Sequence, residues 1–97
     1  MPETTYKRIA ALAKGIEVLL AVSKSGPVSA SSLAAVLDMP KGTVMCHLHT
    51  LADTGLVEIC GDVAKLGMRA AELWAKRKSA LEGERGRIDA ELREIDL

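Results

Sequence analysis

A mainly α fold carrying one small β-hairpin is predicted by three features of this 97-residue sequence. Two short helical patterns, PVSASSLAAVLD and MPKGTVMCHLHTLADTG, follow one another across a tight break. Two short runs rich in β-branched and aliphatic residues, LVEIC and VAKL, come next with only Gly61-Asp62 between them. After Gly67 a long helical pattern begins, in which Trp74, Leu81, Ile88 and Ile95 recur every seven residues.

The first helix is expected from about Thr5 to Ser25. Ile9, Leu12, Ala13, Ile16, Leu19 and Leu20 recur at three- and four-residue steps and so share one face. Gly26-Pro27 stops it. Ser29 reads as the N-cap of the second helix, its hydroxyl placed to accept from a free N–H in the next turn. Leu33, Ala34 and Leu37 form the apolar side of that helix, which ends near Asp38. Pro40 suits the first turn of the third helix, where its missing N–H costs nothing. Val44, Leu48 and Leu51 face the first two helices, and Gly55 is a good left-handed terminator. A Gly-first two-residue loop at Gly61-Asp62 suits a type II′ hairpin. The last helix presents Ala70, Leu73 and Trp74 first, then the seven-residue stripe with Leu92 nearby, which suits a partner helix. Gly83 and Gly86 weaken it, each by up to about 1 kcal/mol relative to Ala. The stripe is read either as a dimer seam or as the apolar side of a frayed tail in a monomer. Trp74 is either an interface anchor or a lid on the core.

Together these elements spell a winged helix-turn-helix: a three-helix core, a short two-stranded β-hairpin wing and a long C-terminal helix. Residues 1–66 form the winged unit and residues 67–97 an amphipathic helix, a candidate dimerisation element. A hydrophobic content of 48% beside 27% charged residues fits a soluble globular chain. Its core must be aliphatic, since Phe is missing and Trp and Tyr occur once each. No apolar run approaches the roughly 20 residues of a membrane span, and no signal-peptide pattern opens the sequence. Cys46 and Cys60 are too few and too casually spaced for a disulfide framework, so a reducing, cytoplasmic setting is expected. A bridge between the two is the alternative.

Formal net charge is zero, whereas counterion release from phosphates usually favours a basic excess in DNA-binding domains. The charge is unevenly placed. Residues 1–81 carry ten basic and seven acidic side chains, and residues 82–97 carry three basic and six acidic. The mildly positive body permits nucleic-acid binding without arguing for it.

At 100° per residue, the side of the third helix opposite Val44, Leu48 and Leu51 carries Gly42, Cys46, His49 and Asp53, flanked by Lys41, Thr43, Met45 and Thr50. A helix of this kind reads double-stranded DNA from near its N-terminus, where free backbone N–H groups also favour phosphate. Lys41 and Thr43 are candidate donors to phosphate or base edges, and Gly42 lets the backbone approach closely. His49 could serve a base edge or a phosphate, Cys46 and Thr50 line the same surface, and Lys65 would act from the wing. The competing reading makes Lys41, Thr43 and His49 ordinary solvated residues of a packing helix. Lys76-Arg77-Lys78 either touches phosphate or solvates its helix.

From about Leu12 to Trp74 the sequence resembles the N-terminal domain of IclR-type bacterial transcription regulators. The resemblance rests on Met39, Pro40, Lys41, Gly42, Thr43 and Val44, then Leu48, Thr50, Leu51, Gly55, Leu56 and Val57, and finally Leu66 and Gly67. It implies operator binding as a dimer, with the third helix in the major groove and the wing beside the backbone. Two positions depart from the family pattern: Gly42 stands where the family has Ser, and Cys46 where it has a groove-facing Arg. The family's effector domain has no counterpart, so a stand-alone regulator without a small-molecule effector is expected, forming a homodimer through the last helix.

Other chemistry finds less support. Cys46, His47, His49 and Cys60 are all zinc-ligand types, but His47 and His49 lie about 200° apart around a helix, whereas paired ligands want a four-residue step. His47 is therefore read as half-buried, His49 as a surface residue, and no metal or cofactor is expected. Cys46 has no acid and base arranged around it, no glycine-rich phosphate loop follows a strand, and no enzyme is expected. The alternative to DNA binding is the same fold used as a protein-protein interaction module.

Overall fold

The computed structural model describes residues 6–96. In chain order it contains α1 (Ala10–Ser25), β1 (Val28–Ser29), α2 (Ala30–Leu37), α3 (Lys41–Asp53), β2 (Val57–Cys60), β3 (Val63–Leu66) and α4 (Met68–Ile95). This is the winged helix-turn-helix expected from the sequence, with one addition. The wing is a three-stranded antiparallel sheet in the order β1-β3-β2, not a two-stranded hairpin. Val28 pairs with Ala64 and Ser29 with Val63. Two residues are too short to leave an alternating pattern, so β1 exists only because β3 lies beside it.

α1 starts at Ala10, later than the expected start; Thr5 itself lies outside the described residues. Its N-cap is Ile9, which has no side-chain oxygen to cap with, and Tyr6, Lys7 and Arg8 precede it without helical conformation. The expected buried face of α1 is also corrected. Gly15, Val18 and Val22 are buried, whereas Ile9, Leu12, Ala13, Ile16 and Leu20 are exposed; of the predicted face only Leu19 packs against the core. α1 is apolar on two sides, so periodicity alone could not choose between them. Close approach does: a Cβ on Gly15 would lie 3.3 Å from Nδ1 of His47 on α3, so the glycine side is the one that can be brought against α3.

The remaining helix signals work locally as read. The Ser32 N–H donates to Ser29 Oγ at 3.1 Å, capping α2. Asp38 ends α2 in the left-handed conformation (φ 55°, ψ 48°), a state in which Asp is tolerated better than most residues. Pro40 is the N-cap of α3, not its first-turn residue, and its carbonyl accepts from the Val44 N–H at 3.1 Å. At the far end Gly55 (φ 81°) closes α3: its N–H donates to Ala52 and the Leu56 N–H to Leu51. That pair of bonds satisfies carbonyls the helix would otherwise leave open. In the β2–β3 turn Cys60 pairs with Val63, and of the two loop residues only Gly61 has positive φ, as a type II′ turn requires.

The core is formed by Val18, Val22, Ala30, Leu33, Met39, Val44, Leu48, Leu51, Val57 and Ala64. No described residue of α4 is buried. At 1.5 Å per residue its 28 residues make a rod about 42 Å long, and its main packing neighbour is β2. The radius of gyration is accordingly 19.2 Å, against about 12–13 Å for a compact chain of this length. Trp74 is 71% exposed and does not close the core.

The start of the rod is held by a glycine pair. The Gly67 N–H donates to the Leu56 carbonyl at 2.9 Å and the Arg69 N–H to the Gly55 carbonyl at 3.1 Å. A Cβ at Gly67 would run into that same Gly55 carbonyl, whereas one at Gly83 would meet nothing. Gly67→Ala should therefore cost about 2 kcal/mol of stability, while Gly83→Ala should gain up to about 1 kcal/mol through helix propensity. Urea unfolding of the two variants beside the parent checks both signs.

Candidate nucleic-acid interface

α3 is held by burial of one side and leaves the other free. Val44, Leu48 and Leu51 are buried, which turns Lys41, Gly42, Cys46, His49, Thr50 and Asp53 to solvent. Pro40 makes no side-chain cap bond, and the first N–H of the helix returned to a carbonyl is that of Val44. The N–H groups of Lys41, Gly42 and Thr43 thus open the helix without an acceptor among the described residues. Partial positive charge gathers there, and an anion is favoured. The Lys41 ammonium adds a full charge at the same end, with no ion-pair partner among the described residues.

The candidate residues fall into two groups. Lys41, Gly42, Cys46 and His49 lie on the exposed side of α3, and Gly42 has open space around it. Thr43 is half-buried at its margin. The Thr50 hydroxyl donates to the Cys46 carbonyl at 2.9 Å, so its proton is used within the helix and its oxygen is left as an acceptor. Lys65 stands apart. It sits opposite Glu58 in the β2–β3 ladder with their charged groups 3.7 Å apart, and it lines a cleft with Arg69 and Glu72 at the root of α4.

A second cleft, of about 240 Å³, runs beside α3 between the start of α2 and the wing turn, lined by Ser29, Ala30, Ser31, Lys41, Met45, Gly61 and Asp62. The two clefts share no residue. Ser31 was not singled out from the sequence, because a serine in the first turn of a helix carries no pattern of its own. The β1–β3 pairing and the packing of α2 on α3 together bring the wing turn beside these two helices. Asp62 puts a negative charge at the wing tip, and with Glu58 it outweighs Lys65. His47 is half-buried against Gly15 and His49 is exposed, as their opposed helical positions implied. Cys46 and Cys60 are free, exposed thiols rather than a bridge.

Residues 16–60 match a family model described as a helix-turn-helix domain. No curated protein matches the chain. Among solved structures, HmgR from Pseudomonas aeruginosa superimposes with a TM-score of 0.72 at 22% identity, over 76% of this chain and 33% of that one. An IclR family transcriptional regulator from Brucella abortus gives 0.63 at 26% identity, over 69% and 26%. The activation domain of the phage T4 transcription factor MotA gives 0.57 at 21% identity, over 80% and 88%. The chain thus spans about a third and about a quarter of the lengths of the first two.

The Lys65–Glu58 pair is exposed on both sides, and such pairs contribute little. Lys65→Ala should change the urea midpoint stability by less than about 0.5 kcal/mol. These observations support a winged helix-turn-helix fold, and the exposed polar side of α3 is its candidate interface.

Proposed function

We propose that this chain is a transcription regulator of IclR type that binds double-stranded DNA selectively, with α3 in the major groove and two copies acting together. The observation that carries the reading is the start of α3: three N–H groups without acceptors and a Lys41 without an ion-pair partner among the described residues, beside an exposed face of Gly42, Cys46 and His49. Lys41 and the helix N-terminus hold phosphate, and Thr43, His49 and the Thr50 oxygen supply polar contacts to the groove. With Cys46 where a bidentate arginine would stand, base reading rests on single contacts and on DNA shape. Lys65, paired with Glu58, contributes from the wing only after leaving that partner. No described helix is long and apolar enough to cross a membrane, and a cytoplasmic setting beside DNA suits two free thiols. Neither a cofactor nor an effector enters this mechanism.

A second reading uses the fold to hold a protein. Zero net charge and the acidic wing favour it, and the activation domain of the phage T4 transcription factor MotA shares this fold.

Titration of labelled random and selected duplexes at several salt concentrations separates the two. DNA binding should weaken steeply with salt, and Lys41→Ala should reduce the slope of log K against log salt by about one unit. No binding at low salt would remove the first reading. Bound duplex should also slow alkylation of Cys46 by a thiol reagent at least several-fold while leaving Cys60 at its free rate. Equal protection of both thiols, or of neither, would move the interface off α3.

A further inference from the structure

We propose that α4 pairs with α4 of a second copy in antiparallel orientation. This rests on the homodimer reading above and adds what that reading leaves open, the direction of the seam. Trp74, Leu81, Ile88, Leu92 and Ile95 form one exposed stripe along the rod, each side chain between 46% and 78% accessible, and no described residue of α4 is buried. What selects the occupant is charge. Residues 68–81 carry four basic and one acidic side chain, and residues 82–96 carry three basic and six acidic. The first half of the rod is net positive and the second half net negative.

That order opposes the helix's own electrostatics. A helix dipole favours acidic residues in the first turn and basic residues in the last, yet α4 has no acidic residue in its first turn. Its internal ion pairs, Arg69–Glu72 at 3.5 Å, Arg85–Asp89 at 3.8 Å and Arg87–Glu91 at 3.4 Å, all run from base to acid, the weaker direction along a helix. For an isolated rod the arrangement gains only Arg93 in the last turn and these weak pairs. A parallel partner would set the basic halves side by side and the acidic halves side by side. An antiparallel partner sets each basic half against an acidic one and opposes the two helix dipoles.

In an antiparallel pair centred near residues 84 and 85, Leu81 lies beside Ile88 of the second copy and Trp74 beside Ile95. Arg77 falls opposite Glu91 of the second copy. Arg77 and Glu91 are 14 residues apart, about four turns less 40°, and so border the stripe on the same edge. The two winged units stand at opposite ends of the paired rods.

The test uses the full chain with Cys46→Ser and Cys60→Ser, into which Arg77→Cys or Glu91→Cys is placed singly. The two variants are mixed, oxidised, and their cross-links assigned by peptide mapping. The expected result is 77-to-91 links exceeding 77-to-77 and 91-to-91 links several-fold. A majority of like-to-like links overturns the orientation while leaving the dimer standing. Sedimentation equilibrium of the unmodified chain supplies a second readout. Raising the salt from low to high should weaken the antiparallel dimer several-fold, and strengthening it would overturn the proposal. A monomer at all concentrations would overturn both the orientation and the homodimer, whereas the DNA titration would still judge α3 by itself.

Discussion

Burial of Val44 among the side chains of α1 and α2 is the contact on which the rest of this molecule depends. Val44 is wholly inaccessible, as are Val18 and Val22 of α1, and Leu33 of α2 is nearly so. These four are small or medium aliphatic groups, and the core has no aromatic ring to span gaps between helices. Such a core works only where the helices approach closely, which is why α1 turns Gly15 toward α3 and meets the ring of His47 there. Once Val44, Leu48 and Leu51 are seated, the rotation of α3 about its axis is settled. Lys41, Gly42, Cys46 and His49 are then outward whatever their own preferences. The candidate DNA surface is the remainder left by packing.

A second constraint sets how the long helix leaves the core. Gly55 ends α3 with a positive φ, and its carbonyl accepts from Arg69 at the start of α4. Gly67 has to lie against that carbonyl, where a side chain would not fit. One short junction thus couples the end of α3 to the direction of α4, while the body of α4 touches little else. A rod held only at its root transmits orientation rather than stability. Its position on a second copy would determine how two α3 helices are spaced.

The wing shows how local and distant interactions divide the work. The β2–β3 turn is encoded locally by Gly61 and its two-residue length. The third strand, β1, depends on β3 arriving beside it, and with it comes the cleft that joins Ser31, Lys41, Met45 and Asp62. The same ladder places Lys65 opposite Glu58. A lysine that reads in the sequence as a wing cation is in the fold an ion-paired residue at the root of α4.

Helix order, the Ser29 cap, the Gly55 terminator, the hairpin turn and the buried side of α3 were all legible in the chain, because each is decided within a few residues by backbone geometry or by a single clear period. The start of α1 was misplaced because Ile9, at its N-cap, has no side-chain oxygen to cap with, and a hydrophobic period says nothing about where fraying ends. The buried side of α1 could not be read either, since Ile9, Leu12 and Ile16 are as apolar as Val18 and Val22. Only contact with α3 separates the two, through the space that Gly15 leaves. Residue order thus determined the elements and the polarity of α3. Tertiary packing decided which of two equally hydrophobic faces is used, which strand completes the wing and that Lys65 is ion-paired with Glu58, because these depend on contacts the sequence pattern does not carry.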